Sequence, residues 1–342
     1  MFKKALVCME FSSDLSEAGK CLIGIKNISR ENTMTIKRLV IGLIAVLVWS
    51  NVSWAISLVD ADWLKANLDN KNIRIVDVSN RVDTYDKGHI PGAVKVKRSL
   101  DLSNTSITPT NHFPTKEQFE KLMAWLGIDK DTTVVAYDDA FSLFASRFLV
   151  VMELYGHDEN KLKLLNGGSV RWKALGLPFS KEPAAVRNTK YKADVVRLDI
   201  FVPWHDIYRD VVLGDKPEIL LLDSRSAAEY EGKIIPSIRG GHIPKAVNVI
   251  GTDSNNKEDQ TFKTLAEIKQ LYEAKKITPD KTIYEYCHSG DRSAHAYVVL
   301  KHLLGYKNVR FNDGGWAEWS TILTLPVEGQ VWLWDTPRDE KK

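Results

Sequence analysis

The sequence predicts an α/β protein with two similar domains, each built on a mainly parallel sheet flanked by helices. The first reason is an internal repeat, because residues 131–138 align with residues 280–287 at an offset of 149. The second is that short apolar runs ending in aspartate alternate with longer amphipathic segments in both halves. This alternation is typical of parallel sheets whose crossovers are helices.

Two further pairs of segments extend the repeat. Residues 88–94 (Gly-His-Ile-Pro-Gly-Ala-Val) match residues 241–247 (Gly-His-Ile-Pro-Lys-Ala-Val), and residues 166–168 (Asn-Gly-Gly) match residues 313–315 (Asp-Gly-Gly). The matches keep their order, and their offsets drift by only a few residues. We therefore infer a domain duplication.

Each copy contains two apolar runs with the length and composition of buried parallel strands. These predicted strands are residues 73–77, 134–137, 219–223 and 283–286. The predicted helices are residues 115–126, 142–155, 264–274 and 293–304. Thr115, followed three residues later by Gln118, forms a capping-box pattern that marks the start of the first of these helices.

Residues 34–55 have the features of a signal peptide. Two basic residues precede the apolar run 39–49, which is shorter than the roughly 20 residues that span a bilayer. Ser53-Trp54-Ala55 then supplies small residues at the two positions that a signal peptidase reads. The alternative is a buried core helix, but such a helix seldom has basic residues before its apolar run and a small-x-Ala pattern after it. Residues 1–33 are explained by an upstream start codon assigned in error or, alternatively, by a genuine extension.

These observations together predict the domain organisation. It comprises a leader (residues 1–55), a first domain (56–180), a linker (181–198), a second domain (199–335) and a charged tail (336–342). The linker is placed there because the chain around it lacks clear periodicity and carries scattered charges. We expect a periplasmic or otherwise exported protein, without membrane attachment once the leader is cleaved.

Composition and charge limit the classes of partner. The 342 residues are 44% hydrophobic and 27% charged, as in soluble globular proteins. The formal net charge of +3 comes from the leader, because the rest of the chain carries 40 Lys/Arg and 40 Asp/Glu. A nucleic-acid partner therefore has no support from charge.

Cysteine usage singles out Cys287. Cys8 and Cys21 lie in the leader, so the mature chain keeps one unpaired thiol. An exported protein that uses cysteine for stability would have pairs, so this thiol either has a chemical task or is a buried, inert side chain.

The surroundings of Cys287 favour a chemical task. Residues 287–293 (Cys-His-Ser-Gly-Asp-Arg-Ser) lie between a predicted strand and a predicted helix, where α/β folds place ligands. A short loop around the cysteine directs backbone N–H groups at its sulfur, and this stabilises thiolate over thiol. Gly290 permits an unusual backbone conformation, and Arg292 supplies a permanent cation for an anionic donor or for the charged sulfur.

The loop Cys-x-x-Gly-x-Arg after a strand, the repeated Gly-His-Ile-Pro segment and Asp223-Ser-Arg225 resemble the rhodanese family. The duplication covers nearly all of residues 57–335, which resembles tandem-domain rhodaneses of the thiosulfate sulfurtransferase type. In such proteins the first copy has usually lost its cysteine, often to aspartate. Asp138 occupies that position here, so the resemblance implies an inactive first domain that serves as a packing partner.

The resemblance implies a sulfurtransferase with a ping-pong reaction. Cys287 takes a sulfane sulfur from thiosulfate or a similar donor, and the persulfide then passes it to a thiol or cyanide, with an acceptor protein as a further partner. The alternatives are a 3-mercaptopyruvate or polysulfide sulfurtransferase and, in another class, a non-turnover sulfur-relay or binding module. No cofactor is implied, and the eight histidines are too dispersed to predict a metal site.

The resemblance also implies roles for individual residues. Cys287 and Arg292 are the expected catalytic residues, and the expected substrate-binding loop consists of His288, Ser289, Gly290, Asp291 and Ser293. The expected supports of the fold are Asp223, Arg225 and His242. One departure concerns Glu229, which stands where two-domain sulfurtransferases have a second arginine that holds the donor. Arg239 is the candidate donor contact in its place.

A cysteine phosphatase is the nearest enzymatic alternative, since the cell-cycle dual-specificity phosphatases share this fold type. Their loops resemble Cys-x5-Arg and enclose a phosphate. The spacing from Cys287 to Arg292 is Cys-x4-Arg, which gives a tighter loop suited to a single sulfur atom.

We predict that the mature chain begins at Ile56, because Ser53 and Ala55 form the signal-peptidase pattern after the apolar run. N-terminal sequencing of the protein from native cells tests this prediction. Recovery of residues 1–55 intact on a cytoplasmic protein would contradict it.

Overall fold

The structure is a computed structural model, and it describes residues 55–81, 83–104, 106–107 and 112–335. All but Ala55 of the predicted leader, and the predicted tail 336–342, lie outside the described residues. The domain organisation predicted for those parts of the chain therefore stays a prediction.

The described part of the chain alternates between strands and helices. The strands are β1 (Ser57–Val59), β2 (Ile73–Asp77), β3 (Val94–Lys95), β4 (Thr133–Tyr137), β5 (Leu162–Leu165), β6 (Ile219–Asp223), β7 (Arg239–His242), β8 (Val247–Asn248), β9 (Thr282–Tyr286), β10 (Val309–Phe311) and β11 (Glu328–Trp332). The α-helices are α1 (Ala61–Ala66), α2 (Thr84–Lys87), α3 (Arg98–Asp101), α4 (Lys116–Trp125), α5 (Leu143–Leu154), α6 (Gly168–Ala174), α7 (Trp204–Ile207), α8 (Ala227–Tyr230), α9 (Leu265–Glu273), α10 (Asp291–Tyr297) and α11 (Gly315–Trp319).

Shorter helical segments complete the description. They are the 3-10 turns Glu159–Lys161, Leu198–Ile200, Gly251–Ser254 and Leu333–Asp335, and the π-helical segments Tyr208–Leu213 and Val298–Leu303.

The sheets confirm the predicted fold class. The first copy holds a parallel sheet of order β1-β5-β4-β2-β3, and the second a parallel sheet of order β10-β9-β6-β8. Phe201 pairs in parallel with Phe311 of β10, as β1 pairs with β5 in the first copy. An antiparallel ribbon of β7 and β11 lies beside the second sheet. The two copies therefore share one topology.

Most predicted elements lie where the patterns indicated, within one residue at each end. Strands β2 and β6 have the predicted bounds, and Thr115 caps α4 in a full capping box with Gln118. The prediction for residues 293–304 was wrong in detail. That helix begins at Asp291, because Gly290 turns the chain two residues earlier, and it changes to π geometry at Val298.

The two copies share a continuous hydrophobic core. Phe148 of α5 and Leu122 of α4 belong to the same buried cluster as Tyr297 of α10 and Ile268 of α9. The outer face of each sheet has a smaller cluster of its own. Because apolar burial is the main stabilising term in folding, the first domain stabilises the second.

A polar pair lies buried at the contact between α5 and the π segment. Glu153 and His302 are at equivalent positions of the two copies, and His302 Nε2 lies 2.9 Å from Glu153 Oε2. Ile56 N–H donates to His302 Nδ1 at 3.2 Å, so Nε2 carries the hydrogen that is donated to Glu153. The Tyr297 hydroxyl donates to the other carboxylate oxygen at 2.9 Å. Burial alone would raise the pKa of Glu153, but these bonds together with the nearby His302 and Lys301 charges outweigh burial and lower it.

Within the part of the chain that the structure describes, no helix has the length and hydropathy that crossing a membrane requires.

Candidate active site

Cys287 follows β9 directly and is 1% exposed. Its sulfur accepts hydrogen bonds from the Gly290 N–H at 3.1 Å and from the Ser293 hydroxyl at 3.4 Å. Both donors favour a negatively charged sulfur over a neutral thiol. The loop predicted to surround the cysteine is therefore present, and two of its residues contact the sulfur.

Gly290 meets two separate requirements of this loop. It precedes α10 with φ +93°, a conformation that residues with a side chain rarely adopt. A Cβ atom here would lie 2.0 Å from Nη1 of Arg147. Any other residue at this position would strain the backbone and displace a buried arginine.

Helix α11 holds the carbonyl groups of the loop. Trp316 N–H donates to the Cys287 carbonyl at 2.7 Å, and Ala317 N–H donates to the His288 carbonyl at 3.0 Å. The His288 side chain is half-buried, and burial together with the nearby Arg292 charge lowers its pKa. The permanent positive charge of the loop therefore belongs to Arg292.

The structure pairs Arg292 with Glu229. The two terminal nitrogens of Arg292 lie 2.5 and 3.0 Å from the two carboxylate oxygens of Glu229. Burial alone would raise the pKa of Glu229, but the bond and the charge of Arg292 together with the bonds from Ser226 outweigh burial and lower the pKa to about 2. Burial lowers the pKa of Arg292, whereas Glu229 and the charge of Cys287 raise it, with a net increase. Arg292 is therefore a shared cation rather than one reserved for a donor.

Arg239 does not reach the loop. It is 2% exposed, and its guanidinium group donates to the carbonyl groups of Trp319, Ser320, Ile322 and Leu325. A donor contact of the kind predicted would require these bonds to break. The geometry instead assigns Arg239 to holding the chain that follows α11.

Asp223 and Arg225 form a fully buried ion pair next to the loop. Arg225 Nη2 donates to Asp223 at 2.6 Å and to the Gly241 carbonyl at 2.8 Å, and the guanidinium lies 4.5 Å from the centre of the Trp316 ring. These contacts connect β6, β7 and α11, and they are those of a residue that supports the fold.

His242 lies outside the loop. It stacks on Tyr230 at 3.6 Å between ring centres, as His89 stacks on Tyr85 at 3.8 Å in the first copy. Because both copies have this pair, its role belongs to the fold rather than to the sulfur chemistry.

In the first copy, Asp138 occupies the position of Cys287 and is 1% exposed. Its carboxylate accepts the backbone N–H groups of Ala140, Ser142, Phe144 and Ala145 at 2.8–2.9 Å. Burial raises the pKa of Asp138 to about 6, and these backbone bonds act in the opposite direction. The loop of the first copy thus keeps its ring of donors and fills it with its own carboxylate.

The first copy also contacts the loop of the second, which sequence reasoning missed. Arg98 of α3 lies 2.6 Å from Asp291 Oδ1 and donates to the Ser289 carbonyl at 2.5 Å. Arg147 of α5 is fully buried, and its Nη2 lies 2.9 Å from Asp313 Oδ1. No local pattern indicates such distant contacts. The available signal was an asymmetry of the repeat, since Gly251 stands in the second copy where the first has Arg98.

Glu285 is a second residue that sequence reasoning missed, although its position was a signal. It lies on β9 two residues before Cys287, where the first copy has Ala136, and it is fully buried. Neither carboxyl oxygen has a hydrogen-bond partner among the described residues. Burial and the neighbouring Cys287 charge raise the pKa of Glu285 well above its usual range. Both effects favour the neutral form of this carboxyl group over the carboxylate.

Among the described residues, one group has the spacing of metal ligands: Glu153, Glu159 and His302. Glu153 already accepts from His302 and Tyr297, and Arg197 lies 2.5 Å from Glu159. Hydrogen bonds and ion pairs with Arg197, His302 and Tyr297 therefore already engage these carboxylates.

Two stretches of the chain, residues 60–175 and 212–322, match the family model described as Rhodanese-like domain. A Thermus thermophilus relative named "Sulfur carrier protein TtuD" is 34% identical over 278 residues, covering 79% of this chain and 95% of the relative. A Saccharopolyspora erythraea relative named "Putative thiosulfate sulfurtransferase" is 35% identical over 279 residues, with 79% and 95% covered.

Among solved structures, EanB with a cysteine persulfide and ergothioneine aligns with a TM-score of 0.70 at 25% identity. The alignment covers 80% of this chain and 70% of that chain. Together with the relatives, this similarity supports sulfur transfer of the rhodanese type as the class of chemistry.

We predict that Asp138→Ala lowers thermal stability and leaves sulfur transfer per folded molecule within a few-fold of the wild type. Each buried N–H group left without an acceptor costs about 1–3 kcal/mol, and the N–H groups that the Asp138 carboxylate binds all belong to the first copy. Thermal unfolding and steady-state kinetics measure the two effects. The exposed Asp131→Ala of the same copy is the control. Loss of turnover at unchanged stability would place the first loop in the reaction.

A second prediction concerns Glu285. Its pKa is raised in the folded protein, so folding binds a proton at any pH between the ordinary carboxyl pKa and the folded value. The contribution of Glu285 to stability is therefore fully present below the ordinary glutamate pKa of 4.5 and is lost as pH rises. Relative to Glu285→Gln, we expect the wild type to lose about 1.4 kcal/mol per pH unit between that point and the folded pKa. Urea unfolding of both proteins from pH 5 to 8 measures this difference, and parallel stability curves would contradict it.

Proposed function

This chain belongs to the rhodanese-like family, and from that premise we propose that it is an exported sulfurtransferase that carries sulfur as a persulfide on Cys287. The observation that carries the proposal is the buried Cys287 sulfur, which the Gly290 N–H and the Ser293 hydroxyl hold in the loop after β9. The persulfide state of EanB supports the chemistry by similarity.

In the proposed first step, the Cys287 thiolate attacks the outer sulfur of thiosulfate. A new sulfur–sulfur bond forms, the bond to the sulfonate sulfur breaks, and sulfite leaves with the bonding electron pair. The product is a Cys287 persulfide anion, which has one negative charge like the thiolate it replaces. The donors from Gly290 and Ser293 lie where they can stabilise either anion.

In the second step, an acceptor thiolate attacks the terminal sulfur of the persulfide. The bond to Cys287 breaks, and the cysteine leaves as a thiolate, ready for another cycle. Cyanide accepts the sulfur in the same way and becomes thiocyanate. Arg292 contributes a positive charge beside the sulfur in both steps. The paired Glu229 carboxylate partly offsets the electrostatic effect of this charge.

The Glu229 carboxylate bears on the choice of donor. It adds a negative charge at the place where two-domain sulfurtransferases hold an anionic donor with arginine. This weakens binding of dianionic thiosulfate relative to those enzymes, and it keeps mercaptopyruvate and polysulfide as alternative donors. The site supports sulfane-sulfur transfer more strongly than it supports any one donor.

A second candidate function is a sulfur relay without turnover of small acceptors. The observation that favours it is the relative named as a sulfur carrier protein. Both functions use the same Cys287 persulfide, and they differ in the acceptor. A relay passes its sulfur to a protein thiol and turns over little with cyanide or glutathione.

We predict that Cys287→Ser abolishes both persulfide formation and sulfur transfer, because serine is neither nucleophilic here nor able to form a stable sulfur adduct. Intact mass is measured after mixing with thiosulfate, mercaptopyruvate or polysulfide in turn. The wild type should gain one sulfur atom with at least one of these donors. Substantial transfer by the serine variant would refute the assignment, and turnover with cyanide separates the enzyme from the relay.

A further inference from the structure

A single peptide group connects the first domain to the reactive sulfur. The Ser289 carbonyl accepts a hydrogen bond from Arg98 Nη2 at 2.5 Å. The N–H at the other end of that peptide group, belonging to Gly290, donates to the Cys287 sulfur at 3.1 Å. Arg98 and Cys287 therefore act on opposite ends of one rigid unit.

The geometry of the peptide bond makes this connection effective. A trans peptide is planar, and its C=O and N–H point in opposite directions, so fixing the carbonyl also fixes the direction of the N–H. A charged donor on the carbonyl polarises the unit and strengthens the N–H as a donor. Glycine at position 290 admits both signs of φ about equally, so the loop alone does not determine the plane of this peptide.

Arg98 is itself held in place. Its Nε lies 2.6 Å from Asp291 Oδ1, and its Nη1 donates to the Ser103 hydroxyl at 3.3 Å. The residue is 9% exposed. Its planar guanidinium group thus contacts three acceptors in different directions, which a lysine with a single ammonium group cannot reproduce.

We propose that Arg98 is a positioning residue supplied by the first domain, which orients the Ser289–Gly290 peptide so that its N–H stabilises the negative charge on Cys287. The inference rests on the proposed role of Cys287 as the sulfur carrier. It adds to that role, because the first domain then helps to stabilise the reactive thiolate form of Cys287.

The test compares the pH dependence of cysteine alkylation in the full chain. Iodoacetamide reacts with the thiolate, and mass spectrometry of the Cys287 peptide separates this signal from Cys8 and Cys21. We expect Arg98→Met to raise the pH midpoint by about one unit, and hence to slow alkylation about tenfold at pH values below both midpoints. Arg98→Lys should fall between this variant and the wild type.

The chain offers a control for the loss of an interdomain arginine, although its side chain is more exposed than that of Arg98. Arg171 of the first copy pairs with Asp259 of the second at 3.2 Å, beside the loop of Asp138 rather than that of Cys287. Arg171→Met should leave the alkylation midpoint unchanged. If both arginine variants shift the midpoint equally, the effect is a general loosening of the domain contact and the proposal fails.

A second variant separates orientation from charge. Removing Arg98 also leaves Asp291 unpaired, and that negative charge alone would disfavour the thiolate. The double variant Arg98→Met/Asp291→Asn removes this repulsion and still leaves the Ser289 carbonyl without its donor. We expect its midpoint to stay above that of the wild type, and a return to the wild-type value would overturn the proposal.

The other titratable and charged groups around the loop are the same in every variant. They include Glu285 on β9, His288 of the loop itself, Arg292 on α10, Glu229 on α8 and Arg147 on α5. Arg98→Gln is the milder variant should Arg98→Met not fold, and a midpoint equal to the wild type in the folded variant contradicts the proposal. Normal midpoints combined with no persulfide from any donor would instead refute the sulfurtransferase function, so the two failures are distinguishable.

Discussion

A sulfur atom buried away from water can hold negative charge only where fixed donors replace the water it has lost. At Cys287 those donors are one backbone N–H and one hydroxyl, both from the turn that begins α10. Keeping them in place requires support on every side of the loop. Helix α11 binds its carbonyls from one direction, and Arg98 and Arg147 of the other domain pack against it from another. The reactive group thus lies in one copy, and the structure that sustains it lies in both.

The loop of the first copy also needs an acceptor for its inward-facing N–H groups, although it has no cysteine. Its loop still directs N–H groups inward, and such groups would be costly to bury without an acceptor. Asp138 supplies that acceptor permanently, with four backbone bonds where Cys287 accepts one backbone N–H. An aspartate is therefore a physically sensible replacement for a reactive cysteine, because it satisfies the loop and has no sulfur to transfer.

Features that depend on near neighbours in the chain were predictable from the sequence. The bounds of β2, the capping box at Thr115 and the loop from Cys287 to Ser293 all depend on residues a few positions apart. The contacts of Arg98 with the second domain could not be predicted, because Ser289 and Asp291 lie more than 190 positions away and are brought close only by the packing of two domains. Arg239 was named as the candidate donor contact because Glu229 stands where relatives have an arginine. Sequence spacing could not anticipate that Arg239 already binds four backbone carbonyls.

The buried pair of Glu153 and His302 has a consequence for partner choice. The two residues occupy equivalent positions of the repeat, so in a symmetric dimer of either domain alone each would face its own counterpart. Two glutamates would then be buried against each other, with repulsion between like charges, and two histidines would lack the acceptor that Glu153 provides. Divergence at this one position therefore favours pairing between the two different domains over self-association of either one. Because the two domains are joined in a single chain, each has its favoured partner at a high effective concentration, even in a compartment that contains many copies of the same fold.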